Sequence, residues 1–171
     1  MKAFMDLIFT TDFFYSIFRV TTPLLFASMG AVISDVAGVP NIALEGMMLI
    51  AAFAGMFFSY FFESALAGLL FALLFAVLCA GVLAFFTLYY KTNIILGGIA
   101  INSLASGGTI FFLYLAAHDK GTSVSLPSKV LPNVNIPLIQ DIPVIGPAIS
   151  GHNVLTYLAV AAVIFTFFLL K

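Results

Sequence analysis

The chain has 171 residues, 63% of them hydrophobic and 8% charged, with a formal net charge of −1. Water-soluble domains carry about 25% charged residues, so this composition excludes a water-soluble fold and makes lipid the solvent. Acids and bases nearly cancel, which leaves no basic patch to suggest nucleic acid or anionic lipid.

A spanning helix needs about 20 apolar residues, and the chain offers five candidate segments. Ahead of them, the first dozen residues hold Lys2, Asp6 and Asp12 and no small-residue cleavage site. They read as a short amphipathic lead-in, not as a signal peptide. Segment one covers 13–34, with Arg19 as its only charge, placed to snorkel to the interface. Segment two covers 46–62 and is short. Segments three (65–90) and four (93–117) carry no charge. The connections at Glu63–Ser64 and Lys91–Thr92 are tight, so segments two, three and four are antiparallel neighbours. Segment five covers 154–170 and is followed by Lys171.

The long connection, 118–153, holds five of the seven prolines. Proline blocks continuous helix and favours extended backbone. The run IPLIQDIPVIGPAI is too apolar for a solvated linker and is expected to fold back on the membrane as a partial cover. The fold class is therefore all-α: a polytopic bundle of about five segments in one domain, residues 1–171. It comprises a four-segment block over 13–117, an external proline-rich loop and a fifth segment.

Small residues recur every fourth position in segment three: Gly68, Ala72, Ala76, Ala80 and Ala84. Segment two shows Ala51, Gly55 and Ser59 at the same spacing. Helices in lipid gain contact energy by close backbone approach, so these faces are expected to pack.

Polar residues inside apolar runs are costly, and they face the bundle interior or a water-filled path. In GVPNIALEGMMLI, Asn41 and Glu45 stand four apart. A helix starting near Asn41 would take Asn41 as its N-cap and Glu45 as a first-turn acid favoured by the dipole. A substrate-path role is compatible with both. In GGIAINSLASGG, Asn102, Ser103 and Ser106 lie near mid-segment. They serve either as interhelical hydrogen-bonding groups or, for Asn102 and Ser103, on a substrate path. Cys79 is the only cysteine, so it forms no intrachain disulfide and reads as a small packing residue. His118 and His152 stand at opposite ends of the long loop without ligand spacing. No HExxH, GxSxG or P-loop pattern is present, and no Ser/His or paired-Asp constellation marks an intramembrane enzyme.

The stretch TTPLLFASMGAVISDVAGVPNIALEGMMLIAAFAG resembles the opening of the permease subunits of bacterial ABC importers for nucleosides and simple sugars. Pro23, Gly38, Val39, Asn41, Ile42, Leu44, Glu45, Gly46, Met47 and Met48 carry the match. NIILGGIAINSLASGGTIFFLY resembles a later block through Gly98, Ala100, Ile101, Asn102 and Gly107. IPLIQDIPVIGP resembles the outer loop that follows. The resemblance implies a multi-pass subunit of the bacterial cell membrane with no catalytic site, metal or cofactor of its own. It also implies a second permease subunit, cytoplasmic ATPases that bind the ATP, and an external substrate-binding lipoprotein. Nucleosides, simple sugars and riboflavin all fit as substrates. The Lys91 turn and Lys171 should then be cytoplasmic and the 118–153 loop external. Family members continue with a basic, glycine-containing stretch and several more helices, so the chain is expected to be an N-terminal half. A non-transporting remnant or scaffold is the other reading.

Overall fold

The computed structural model describes residues 10–118, 121–134 and 150–171. Most of the lead-in (1–9) and the run IPLIQDIPVIGPAI lie outside the described residues. Among the described residues the regular structure is five helices: α1 Thr11–Val36, α2 Leu44–Phe61, α3 Ala65–Tyr89, α4 Ile94–Ala117 and α5 Val154–Leu169. The first four are long and apolar enough to cross a membrane. α5 has only 16 residues, about 24 Å of helix against a hydrocarbon core of about 30 Å. It is shorter than the sequence-based expectation of a full fifth span.

Local chemistry sets the boundaries. Ser64, Asn93 and Asn153 cap α3, α4 and α5 by accepting from the backbone N–H of Ala67, Ile95 and Leu155. Each takes up an amide that the first turn leaves without a partner. Just past the ends of α2, α3 and α4, Glu63, Lys91 and His118 adopt left-handed backbone (φ 49°, 53° and 56°). At Glu63 and Lys91 it reverses the chain within the three and four residues that join α2 to α3 and α3 to α4, and so produces the two tight hairpins.

The chain divides into two units. In the unit of residues 34–130, α2 packs on α3 and both meet α4. The α2–α3 contact is made by small residues. A Cβ placed on Gly68 would lie 2.6 Å from the Gly55 carbonyl oxygen and 2.7 Å from Ser59 Cβ, and one on Gly55 would lie 3.3 Å from Ala72 Cβ. The aromatic rings stack around this seam, with Phe58 and Phe71 centroids 3.9 Å apart. Toward the other end, Ala43, Met47 and Leu83 form a buried cluster against which Cys79, Ile94 and Ile101 pack. The extended segment after α4 is tied to this unit at Ser59, whose Oγ accepts from the Lys129 N–H at 3.0 Å.

The small-residue stripe holds for only part of α3. Gly68 is buried and Ala72 and Ala76 are half-buried, whereas Ala80 and Ala84 are exposed on this chain. A strict four-residue row drifts about 40° per step around a 3.6-residue helix, so the row rotates off the seam. Contact continues through Cys79 and Leu83 instead. On α2, Ala51 and Gly55 are half-buried while Ala54 is 2% exposed.

In the other unit, α1 meets α5 through polar and aromatic contacts. The Thr22 and Thr156 hydroxyls hydrogen-bond at 3.2 Å, and the Tyr15 hydroxyl donates to the Gly151 carbonyl at 3.0 Å. His152 is 2% exposed and stacks on Tyr15, with ring centroids 4.1 Å apart. Pro23 lies inside α1 and removes one ladder donor. Beside it, the Thr22 hydroxyl donates one turn back to the Phe18 carbonyl at 2.8 Å.

Large apolar side chains face outward from Phe13 to Leu170, and among the described residues no large side chain is fully buried. The buried residues are chiefly small. This inversion of a soluble core is what lipid solvent requires.

Candidate functional site: the start of α2

α1 ends at Val36 and α2 begins at Leu44, so residues 37–43 are non-helical. Gly38 takes the left-handed conformation (φ 77°) that turns the chain. Asn41 does not cap α2. Its Oδ1 accepts from the Ala43 N–H at 3.0 Å, a local turn that delays the helix by two residues. The N-cap position falls on Ala43, whose side chain has nothing to offer. Asn41 therefore lies ahead of α2, contrary to the sequence-based expectation of a cap there, while Glu45 stands in the first turn.

The missing cap comes from α4. Asn102 Oδ1 accepts from the Gly46 N–H at 2.7 Å, and its Nδ2 donates to the Ile42 carbonyl at 2.9 Å. One side-chain amide thus satisfies a donor in the first turn of α2 and an acceptor just before it. Glycines permit the approach. A Cβ on Gly46 would lie 2.8 Å from Asn102 Oδ1 and 2.9 Å from Asn102 Cα, and one on Gly98 would lie 3.1 Å from the Ala43 nitrogen. Gly98, Asn102 and Ala105 lie on one face of α4, and that face holds the start of α2.

The crossing is deep. Asn102 stands nine residues beyond the Asn93 cap of α4, about 13 Å along the helix. The start of α2, residues 42–46, therefore meets α4 well inside its apolar run. Irregular backbone at such depth is tolerated where it is buried in protein or lines a water-filled cavity.

The four residues considered for a substrate path end up in different situations. The amide of Asn102 is spent on backbone groups, and that of Asn41 on the Ala43 N–H and, through Nδ2, on the Met47 Sδ at 3.7 Å. Glu45 and Ser103 are exposed, each one residue from the Gly46–Asn102 contact. Ser106 is also exposed, and its hydroxyl bonds back to the Ser103 carbonyl. Among the described residues no cluster of His, Cys, Asp and Glu could hold a metal.

Sequence reasoning missed the roles of Gly46 and Gly98 as the seat of this crossing. The signal was the spacing Gly98–Asn102–Ala105, which marks one helix face. It also missed His152 as a buried anchor of α5.

Comparison with known proteins settles the family. Residues 13–171 match the model of the permease component of branched-chain amino acid transport systems. The chain belongs to this permease family. Guanosine ABC transporter permease protein NupQ of Bacillus subtilis is 34% identical over 155 residues, covering 86% of this chain and 48% of that protein. Nucleoside ABC transporter permease protein NupC of Lactococcus lactis is 29% identical, with 88% and 49% covered. TsgC13 of Haloferax volcanii, a permease named for glucose, is 30% identical, with 89% and 45% covered. The chain spans about half the length of the curated relatives it matches. No solved structure matches it. A member of this permease family with four long apolar helices is a multi-pass membrane protein and not an enzyme.

Proposed function

We propose that the chain is a membrane-spanning permease subunit of an ABC importer for nucleosides or related sugar-bearing molecules. The carrying observation is the recessed start of α2, held by Asn102 on α4 in a chain whose relatives are named as nucleoside permeases. In transporters, broken helices at mid-membrane present unpaired backbone groups and dipole ends to polar solutes. Glu45 and Ser103, exposed on either side of that contact, are the side chains that would meet the solute. Asn41 and Asn102 would act behind them by fixing the backbone.

The working transporter requires a second permease subunit, cytoplasmic ATPases that bind ATP, and an external substrate-binding lipoprotein. In this reading it lies in the bacterial cell membrane, with the Lys91 turn cytoplasmic and the Glu63 turn external. Glucose is the competing substrate, favoured by the name of TsgC13.

Uptake of labelled nucleosides and of glucose in cells with and without the gene separates the two. Loss of nucleoside uptake with glucose uptake intact is expected. Loss of glucose uptake alone would transfer the assignment to sugars, and loss of neither would remove it.

Glu45 gives a second prediction. A first-turn acid gains roughly 0.3–1 kcal/mol from the helix dipole. Glu45→Gln keeps the size and one hydrogen-bonding oxygen, so uptake should fall less than in Glu45→Ala. Equal losses would show that the charge itself acts on the solute.

A further inference from the structure

The stretch 121–130, which follows α4, is exposed except for Leu126, and its backbone is gripped at Lys129. The Ser59 hydroxyl accepts from the Lys129 N–H at 3.0 Å and donates to the Lys129 carbonyl at 3.4 Å. One side chain on α2 thus holds both backbone groups of a residue 70 positions away. Ser59 is equally a part of the α2–α3 seam. It is 3% exposed, and a Cβ on Gly68 would lie 2.7 Å from its Cβ. Its carbonyl accepts from the Ser64 N–H, which closes the turn between the two helices. We propose that Ser59 makes the stretch 121–130 a latch on this seam, docked while α2 and α3 touch and released when they part.

Two magnitudes support the coupling. A net hydrogen bond is worth roughly a two- to tenfold factor in an equilibrium. So small a factor lets the stretch open locally while the helices stay formed. N–H···O bonds span about 2.7–3.2 Å, and the Lys129 bond is already 3.0 Å long. A separation of a few tenths of an ångström at Ser59 therefore weakens the hold. The seam has no slack to absorb such a shift, because Gly68 and Ser59 are in direct contact.

The test is hydrogen exchange of the Lys129 amide in the detergent-solubilised 171-residue chain. Ser59→Ala should speed it roughly fivefold, with the amides of α2 unchanged. Gly68→Ala sets a methyl against the Gly55 carbonyl and Ser59. It should speed exchange as much, although it leaves the hydroxyl in place. Gly55→Ala, a milder wedge on the same seam, should act in the same direction and by less. It carries the test if circular dichroism shows that Gly68→Ala loses helix. Gly81→Ala, also on α3, should change nothing, since a Cβ there meets no atom within 4 Å. Exchange that responds to Ser59→Ala but to neither wedge would make the hydroxyl a fixed pin. Exchange insensitive to Ser59→Ala would remove the hold altogether. Either result overturns the proposal.

Discussion

Gly68→Leu is expected to abolish the α2–α3 hairpin and with it the folded protein. The position has no room for any side chain, because its Cβ would lie 2.6 Å from the Gly55 carbonyl oxygen. That neighbour is backbone and cannot rotate away, so one helix must move. Overpacking costs typically 1–3 kcal/mol, and a rigid neighbour places this case at the upper end. A cost of ~3 kcal/mol shifts the folding equilibrium roughly a hundredfold. The same seam carries the Ser59 hydroxyl that holds the Lys129 backbone, so the following extended segment should loosen as well. Ala84→Leu is the control, since Ala84 is exposed on this chain and should tolerate leucine. Ala76 is half-buried and should fall between them. Size-exclusion chromatography in detergent reads the monodisperse fraction of each variant. Normal behaviour of Gly68→Leu together with aggregation of Ala84→Leu would place the packing face on the wrong side of α3.

Asn102→Leu should release the start of α2. Leucine can neither accept from the Gly46 N–H nor donate to the Ile42 carbonyl, and both bonds are short. The buried Gly46 N–H left without a partner costs about 1–3 kcal/mol. Backbone amides over 43–48 should then exchange with solvent at least about tenfold faster, the ratio for ~1.4 kcal/mol of local stability. Uptake and assembly should fall together. Ser103→Ala removes a hydroxyl one residue away and should leave exchange unchanged. If Asn102→Leu keeps its protection while uptake fails, the amide acts directly on the solute, as its mid-membrane position first suggested.

These two positions show what a sequence can and cannot reveal about this fold. The helices were legible because lipid imposes one rule along the whole chain: long apolar runs broken at polar punctuation. Ser64, Asn93 and Asn153 stand at or beside those breaks and became caps. The α2–α3 contact was legible near Gly68 because small residues announce close approach. It was not legible beyond Ala76, since a four-residue repeat and a 3.6-residue helix part company within two turns. The start of α2 was misplaced for a different reason. Asn41 has the right chemistry for a cap, but a local turn to Ala43 captures its oxygen. The true capping group, Asn102, lies 56 residues beyond the Gly46 amide it caps, and no local pattern encodes that distance. His152 was missed in the same way, because its partner Tyr15 is 137 positions away and only the tertiary fold stacks the two rings.

The central claim is that the recessed start of α2 belongs to an ATP-driven nucleoside path. Its most direct test is nucleoside-stimulated ATP hydrolysis and nucleoside accumulation in proteoliposomes containing the cognate ATPase and binding protein. Because the chain covers about half of its relatives, it is assayed alone and together with a polypeptide supplying the other half. Stimulation and accumulation with both polypeptides, lost when Glu45→Ala and Ser103→Leu are combined, is the predicted result. Accumulation that survives the combined substitution, or no stimulation with both polypeptides present, would contradict it.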